Sequence, residues 1–201
     1  MNDFSVENLV LTLGVVVFAY LLGAIPFGLL ITKLYRLGDL RNLGSGNIGA
    51  TNVLRTGNKF AALLTLMLDG FKGALSVILA SFISKDAAIL ASFCVLIGHI
   101  YPVWLKFLGG KGVATFIGAL LALNFFAGIF VCLVWLATAF LFRYSSLAAI
   151  FGIVSAPLWI FLFYGEEAFL VTLIMALLIL FRHKDNIRRL VDGSEPKIGK
   201  D

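Results

Sequence analysis

Apolar residues along this chain gather into long runs separated by short polar stretches, and most runs approach the length that carries an α-helix across a bilayer. They cover residues 9–35, 60–83, 87–107, 113–123, 125–142, 146–164 and 168–181. The pattern predicts an all-α polytopic membrane protein. Residues 113–142 read as one helix would be 30 residues long, about 45 Å. The basic residues decide between one helix and two. With seven spans and the N-terminus outside, fourteen Lys and Arg fall on the cytoplasmic side against Lys85 alone outside, with Lys72 inside a span. Fusing the pair would put seven inside and eight outside, against the positive-inside tendency. The expectation is therefore about seven transmembrane helices, N-terminus outside and C-terminus cytoplasmic. They form one integral membrane domain over residues 1–201, with a basic cytoplasmic tail at 182–201 that contributes to the site. The fourth run, 11 residues or about 16 Å of helix, has to be tilted, lengthened by its neighbours or partly re-entrant.

Composition sharpens this picture. Of 201 residues 61% are apolar and 13% charged, where soluble domains carry roughly 25% charged residues, so a water-soluble fold is excluded. The net charge of +5 lies mostly in loops between apolar runs, which suits orientation in a membrane and not a nucleic-acid stripe. Cys94 and Cys132 sit inside apolar runs and behave as small hydrophobes. Asp3 and Glu7 are the first charges, with no basic n-region before the apolar stretch, so that stretch reads as a retained span. Three polar segments, 38–59, 107–112 and the tail, then share one face of the membrane and are free to converge. The links at 84–86 and 165–167 on the other face are too short to build a site.

The first loop reads GSGNIGATNVLRTGNK over 44–59. Gly44, Gly46 and Gly49 formally match GxGxxG, but a membrane helix precedes them and the βαβ unit of a dinucleotide site is missing. Glycines that let backbone N–H groups converge, with Ser45, Asn47, Thr51 and Asn52 beside Arg55, make an anion-binding nest. The second loop carries Gly109, Gly110, Lys111 and Gly112 ahead of an apolar helix, joining an ammonium to helix N-terminal amides. A Walker A loop needs Ser or Thr after its Lys, where this chain has Gly112. His99, three residues before Pro102, is either a ligand or a packing histidine.

In the tail, Lys184, Arg188, Arg189, Lys197 and Lys200 read as contacts to anionic lipid, whereas His183, Asn186 and Glu195 offer directional hydrogen bonds. Asp69 and Lys72 lie one turn apart inside a span and are expected to pair. Ser145 and Ser146 begin a span, where Ser is an ordinary N-cap. His99 and His183 are followed five residues on by Trp104 and Arg188, so an HxxxxD acyltransferase pair is absent. The carboxylates Asp39, Asp185, Asp192, Glu195 and Asp201 are too scattered for the clustered Asp motif of the Mg-dependent CDP-alcohol phosphotransferases, and no metal or cofactor is expected. The inferred ligand is a small phosphate-bearing molecule handled at a membrane surface.

These three segments, in this order, resemble the motifs of the bacterial acyl-phosphate:glycerol-3-phosphate acyltransferase family: GSGNIGATN with Arg55, His99 to Pro102 leading into GGKGVAT, and RHKDNIRRL with GSE at 193–195. The resemblance covers the whole chain. It implies transfer of a fatty acyl group from acyl phosphate to the 1-hydroxyl of glycerol 3-phosphate, giving lysophosphatidic acid and inorganic phosphate. It implies a bacterial inner membrane, a cytoplasmic site and no need for an acyl carrier protein at this step. By motif position, Ser45, Asn47 and the amides of Gly44, Gly46 and Gly49 would hold the acyl phosphate, with Thr51 and Asn52 beside them. Arg55, Lys111, His183 and Asn186 would grip glycerol 3-phosphate, while His99, Gly110, Gly112 and Glu195 would shape the site. The proton of the attacked hydroxyl would pass to a substrate phosphate or to His183. Two other readings are a membrane carrier for phosphate or an organic phosphate, which would want ionisable residues through the midplane, and a lipid-binding scaffold without turnover.

Overall fold

Asn124 settles the doubtful pair of runs. Its backbone is extended (φ −151°, ψ 116°) and its side-chain oxygen accepts from the amide of Ala127, so it ends one helix and caps the next. A computed structural model describes residues 6–199, with side chains from residue 10 onward, and places all the long apolar runs in helices. They are α1 (Val6–Gly23), α2 (Phe27–Leu34), α3 (Ala50–Leu54), α4 (Lys59–Ser81), α5 (Lys85–Ile100), α6 (Val113–Leu123), α7 (Phe125–Phe142), α8 (Ser145–Phe163), α9 (Glu166–Arg182) and α10 (Lys184–Val191). Among the described residues, five stretches are long and apolar enough to cross a membrane, and α6 and α9 are shorter. The Asn124 amide also donates to the Phe163 carbonyl, at 2.9 Å, which puts the α6–α7 turn beside the end of α8. The start of α8 lies at the other end of the bundle, where Ser145 meets Thr51. Asp3, Lys200 and Asp201 lie outside the described residues.

The first run was expected as one span, and Val10–Leu34 is one candidate span, but its helix is interrupted inside it. Pro26 supplies no amide and disfavours helix at Ile25, so α1 stops at Gly23 and α2 restarts at Phe27. A break of this kind strands carbonyls where water cannot reach them. Trp104 Nε1 donates to the Ala24 carbonyl (2.5 Å) and Lys72 Nζ to that of Ile25 (2.8 Å). The same ammonium is 2.7 Å from Asp69, both side chains being almost wholly buried, and stands over the Phe27 ring. The pairing read from the sequence is present, with a third partner in the broken first span.

Small residues let the backbones approach. A Cβ on Gly98 would meet the Tyr20 carbonyl oxygen at 2.1 Å and one on Gly23 that of Val95 at 2.1 Å, locking α1 across α5. Between α4 and α6 the same holds at Gly73, against the Thr115 carbonyl at 2.1 Å, and at Gly118, against that of Gly70 at 2.0 Å. The short α6 is thereby pressed flat against α4. A buried core of Leu96, Ile100, Phe116, Leu120, Ile153, Ile160 and Met175 joins α5, α6, α8 and α9 behind it.

Removing the ammonium leaves the buried Asp69 carboxylate, among the described residues, with only the His99 ring near it. Lys72→Met is expected to cost about 3 kcal/mol or more, read as a fall in melting temperature in detergent. Most of the loss should return in the double variant Lys72→Met with Asp69→Asn. A single variant as stable as the wild type would contradict the role given to the pair.

Candidate active site

The first loop is folded by Asn52, which is 2% exposed. Its amide donates to the carbonyls of Leu40 (3.0 Å) and Leu43 (2.9 Å), and its oxygen accepts from the Ser45 amide (3.2 Å). Gly44 turns beneath it at φ +50°, where a Cβ would stand 2.5 Å from Asn52 Oδ1 and 2.8 Å from the Arg55 guanidinium. The expectation that every glycine amide here faces a phosphate is corrected in part. The Gly46 N–H is spent on the Leu43 carbonyl (2.8 Å), because the turn needs that bond to close. Gly49 sits at the N-cap of α3, and Ser45, Asn47, Thr51 and Arg55 face a cavity.

The second loop folds back on the end of α5. Gly110 donates to the His99 carbonyl and Gly109 to that of Ile100, both at 3.1 Å, so these two amides also build the loop and do not stand free. A Cβ on Gly110 would fall 2.2 Å from His99 Nε2, which is why only a glycine fits against that imidazole. Gly112 takes φ +88° at the start of α6. His99, open between ligand and packing residue on sequence, is buried in the cavity wall with Nδ1 3.3 Å from Thr115 Oγ1 and 3.6 Å from Asp69. The Arg182 guanidinium reaches the Gly109 carbonyl at 3.3 Å and ties the loop to α9.

The tail completes a relay of hydrogen bonds. Lys111 Nζ donates to Asn186 Oδ1, Asn186 Nδ2 donates to Glu195 Oε1 (2.7 Å), and Arg189 Nε donates to Glu195 Oε2 (2.6 Å). Arg189, expected at the lipid, is half-buried and pairs with the buried Glu195 carboxylate. Burial alone would raise the Glu195 carboxyl, but Ser146, Asn186 and Arg189 around it outweigh that and hold it below the usual carboxylate range. The Ser146 hydroxyl sits beside Glu195 without hydrogen-bond geometry, and Ser145 Oγ lies 3.1 Å from Thr51 Oγ1, so neither serine acts as the expected N-cap.

Two groups titrate far from their ordinary values. Burial lowers Lys111 to about 8, with the Glu195 charge holding it up and Arg189 and Arg55 pressing it down. Burial also brings His183 to about 4, its bond to the Ile179 carbonyl opposing and Lys111 adding to the fall. At neutral pH Lys111 is therefore charged and His183 neutral. Nδ1 of His183 lies 2.8 Å from that carbonyl, so it carries the proton and Nε2 keeps a lone pair.

The three segments meet around one cavity of about 900 Å³. Ser45, Asn47, Gly49, Thr51, Asn52 and Arg55 line it from the first loop; His99, Lys111 and Gly112 line it from the second. His183, Asn186 and Glu195 close it from the tail, while Gly44, Gly46 and Gly110 stand behind the wall. The cavity continues as an apolar arm between α4 (Leu66, Met67, Phe71), α6 (Ile117, Leu121) and α7 (Cys132, Trp135, Leu136). Sequence reasoning did not place Lys59, Asp69, Ser145, Ser146 or Lys197 in the cavity lining, having read Asp69 chiefly as a pairing residue, the serines as N-caps and Lys197 as a lipid contact. A signal for Ser146 was present: it follows the α7–α8 turn on the face shared by all three motifs.

The glycerol-3-phosphate acyltransferase family model matches residues 13–193. Relatives bearing that name include one from Cereibacter sphaeroides, 55% identical over 185 residues and covering 92% of this chain and 88% of its own. Another, from Jannaschia sp., is 52% identical over 197 residues, 97% of each chain. The fold is similar to crystal structures of PlsY (YgiH), an integral membrane glycerol 3-phosphate acyltransferase. Its glycerol 3-phosphate form gives a TM-score of 0.89 at 41% identity, covering 94% of this chain and 96% of that one. Its lysophosphatidic acid form gives 0.86 at 39%, covering 94% and 95%.

Two measurements test this geometry. Gly110→Ala should displace the His99 ring and lower kcat/KM about tenfold or more with little change in melting temperature; normal turnover would show that the ring has room. In the wild type kcat/KM should fall as pH rises through about 8, where Lys111 loses its charge. Glu195→Gln removes a charge that holds the Lys111 proton on, so the alkaline fall should move to lower pH. An unmoved midpoint would assign it to another group.

Proposed function

The chain belongs to the glycerol-3-phosphate acyltransferase family and is an integral membrane acyltransferase, and from that premise we propose that its acyl donor is acyl phosphate. The carrier alternative gives way, since the matched family and relatives are acyltransferases. In the proposed reaction the 1-hydroxyl of glycerol 3-phosphate attacks the acyl carbonyl, and lysophosphatidic acid and inorganic phosphate leave. One observation carries the proposal: a single cavity joins a cationic, hydroxyl-lined end to an apolar arm. Such a shape suits a donor with an alkyl chain and a phosphoryl head beside a small phosphorylated acceptor.

In this reading Ser45, Asn47 and Thr51 donate to the acyl phosphate, and the alkyl chain lies in the apolar arm. Arg55 and Lys111 neutralise glycerol 3-phosphate. Neither is paired with a carboxylate among the described residues, and Lys111 is bonded to the neutral Asn186. Asn186 aims the ammonium, Glu195 aims Asn186, and His99 shapes the acceptor pocket. The hydroxyl oxygen forms a bond to the acyl carbon as the carbonyl electrons move to oxygen. Collapse of that intermediate breaks the bond to phosphate.

His183 is a poor base at about 4, so its Nε2 orients the hydroxyl as an acceptor and the proton passes to the departing phosphate. Phosphate is a good leaving group from this mixed anhydride, so positioning and charge neutralisation supply the acceleration. We further place the protein in a bacterial inner membrane as one domain of seven spans, α6 and α9 completing the set, with an external N-terminus and the site on the cytoplasmic side. No acyl carrier protein takes part at this step.

Purified protein mixed with palmitoyl phosphate and labelled glycerol 3-phosphate should form lysophosphatidate and phosphate without a vesicle gradient, and should do so in EDTA. Arg55→Ala and Lys111→Ala should each lose at least about 1.4 kcal/mol of transition-state stabilisation, a factor of ten. No product from well-folded wild type would overturn the donor assignment, and near-normal turnover by either variant would remove that residue's role.

A further inference from the structure

We propose that Lys197 binds the phosphoryl group of the acyl donor, held in place by a strap of residues 195–198; the inference rests on the acyl-phosphate reading above. On sequence Lys197 was a lipid-facing charge, and the structure puts it on the cavity wall instead. The strap is pinned on both sides of it. Glu195 is held by Asn186 (2.7 Å) and Arg189 (2.6 Å). Ile198 donates its amide to the Arg143 carbonyl (2.6 Å) and accepts from the Arg143 guanidinium (3.2 Å). Only Pro196 and Lys197 lie between the two anchors, so the backbone cannot swing away while both hold.

The side chain is exposed, and no ion pair among the described residues engages it. Its ammonium rests 5.4 Å over the ring of Tyr144, a contact that a phosphate can replace without leaving an acid unpaired. Tyr144 precedes Ser145, whose hydroxyl meets Thr51 of the first loop at 3.1 Å. The lysine therefore stands at the end of the cavity where the donor's phosphoryl partners, Ser45, Asn47 and Thr51, are all neutral. The apolar arm leads to the same place, because α7 carries Cys132, Trp135 and Leu136 toward Arg143, where the strap crosses.

Charge arithmetic gives the lysine a purpose. A phosphate monoester carries about −1.5 to −2 at neutral pH, so two substrates bring about −3 to −4. Arg55, Lys111 and Lys59, which also lines the cavity, answer about three of these charges, and a further cation at the donor's end holds two like-charged substrates together at lower cost.

The test is steady-state kinetics of the full chain in detergent, varying palmitoyl phosphate and glycerol 3-phosphate in turn. Lys197→Gln should raise KM for palmitoyl phosphate about tenfold, leaving kcat and KM for glycerol 3-phosphate within about twofold. Lys197→Arg should restore the donor KM. An unchanged donor KM in Lys197→Gln, or a change confined to glycerol 3-phosphate, would overturn the assignment while leaving the reaction intact. So would a defect that appears only in vesicles containing anionic lipid, which would return Lys197 to the bilayer surface. Failure of the wild type to use palmitoyl phosphate would overturn the donor reading and this inference together.

Discussion

A charged amine buried among membrane helices must satisfy every one of its donors, and Lys72 does so by joining three parts of the molecule. It neutralises Asp69 on its own helix, takes the stranded carbonyl of Ile25 in the broken first span, and lies over Phe27 beyond the break. Asp69 in turn approaches His99 in the cavity wall. Such an arrangement is held tightly, because loosening Lys72 exposes the buried Asp69 charge and leaves the Ile25 carbonyl, among the described residues, only the amide of Phe27. The break it stabilises sits directly before α2, against which the first loop packs: a Cβ on Gly28 would strike the Ile48 carbonyl at 1.8 Å.

Packing without side chains does the next part. Gly70, Gly73 and Gly118 bring α4 and α6 into backbone contact, so α6 occupies little space and leaves an apolar furrow between α4 and α7. A long, thick helix in its place would fill that furrow. The short α6, an irregularity when the chain is read as a string of spans, lines this apolar furrow together with α4 and α7.

The site works by imbalance of charge. Acids near it are already committed, Glu195 to Arg189 and Asp69 to Lys72, whereas Arg55 and Lys111 have no carboxylate of their own among the described residues. Pre-set cations without counter-charges are costly in an empty protein and are repaid by anionic substrates, which is the economy expected of electrostatic preorganisation. Glu195 has a double part: it fixes Asn186, which aims Lys111, and its charge keeps that ammonium protonated near neutral pH.

Sequence alone determined the all-helical membrane class, the division at Asn124, the pairing of Asp69 with Lys72, and the three segments that meet around one cavity. Each is written in local terms: run length, charge asymmetry between faces, helical spacing and glycine density. Tertiary structure decided what those terms do not contain. The break at Pro26 holds because Trp104 and Lys72 arrive from elsewhere to take its carbonyls. The amides of Gly46, Gly109 and Gly110 turn out to fold their own loops, and Arg189 and Lys197 leave the lipid for Glu195 and the cavity wall. A residue's chemistry is visible in the chain, but its partner is chosen by long-range packing, and in a bilayer the partner decides whether a polar group is structural or free to act.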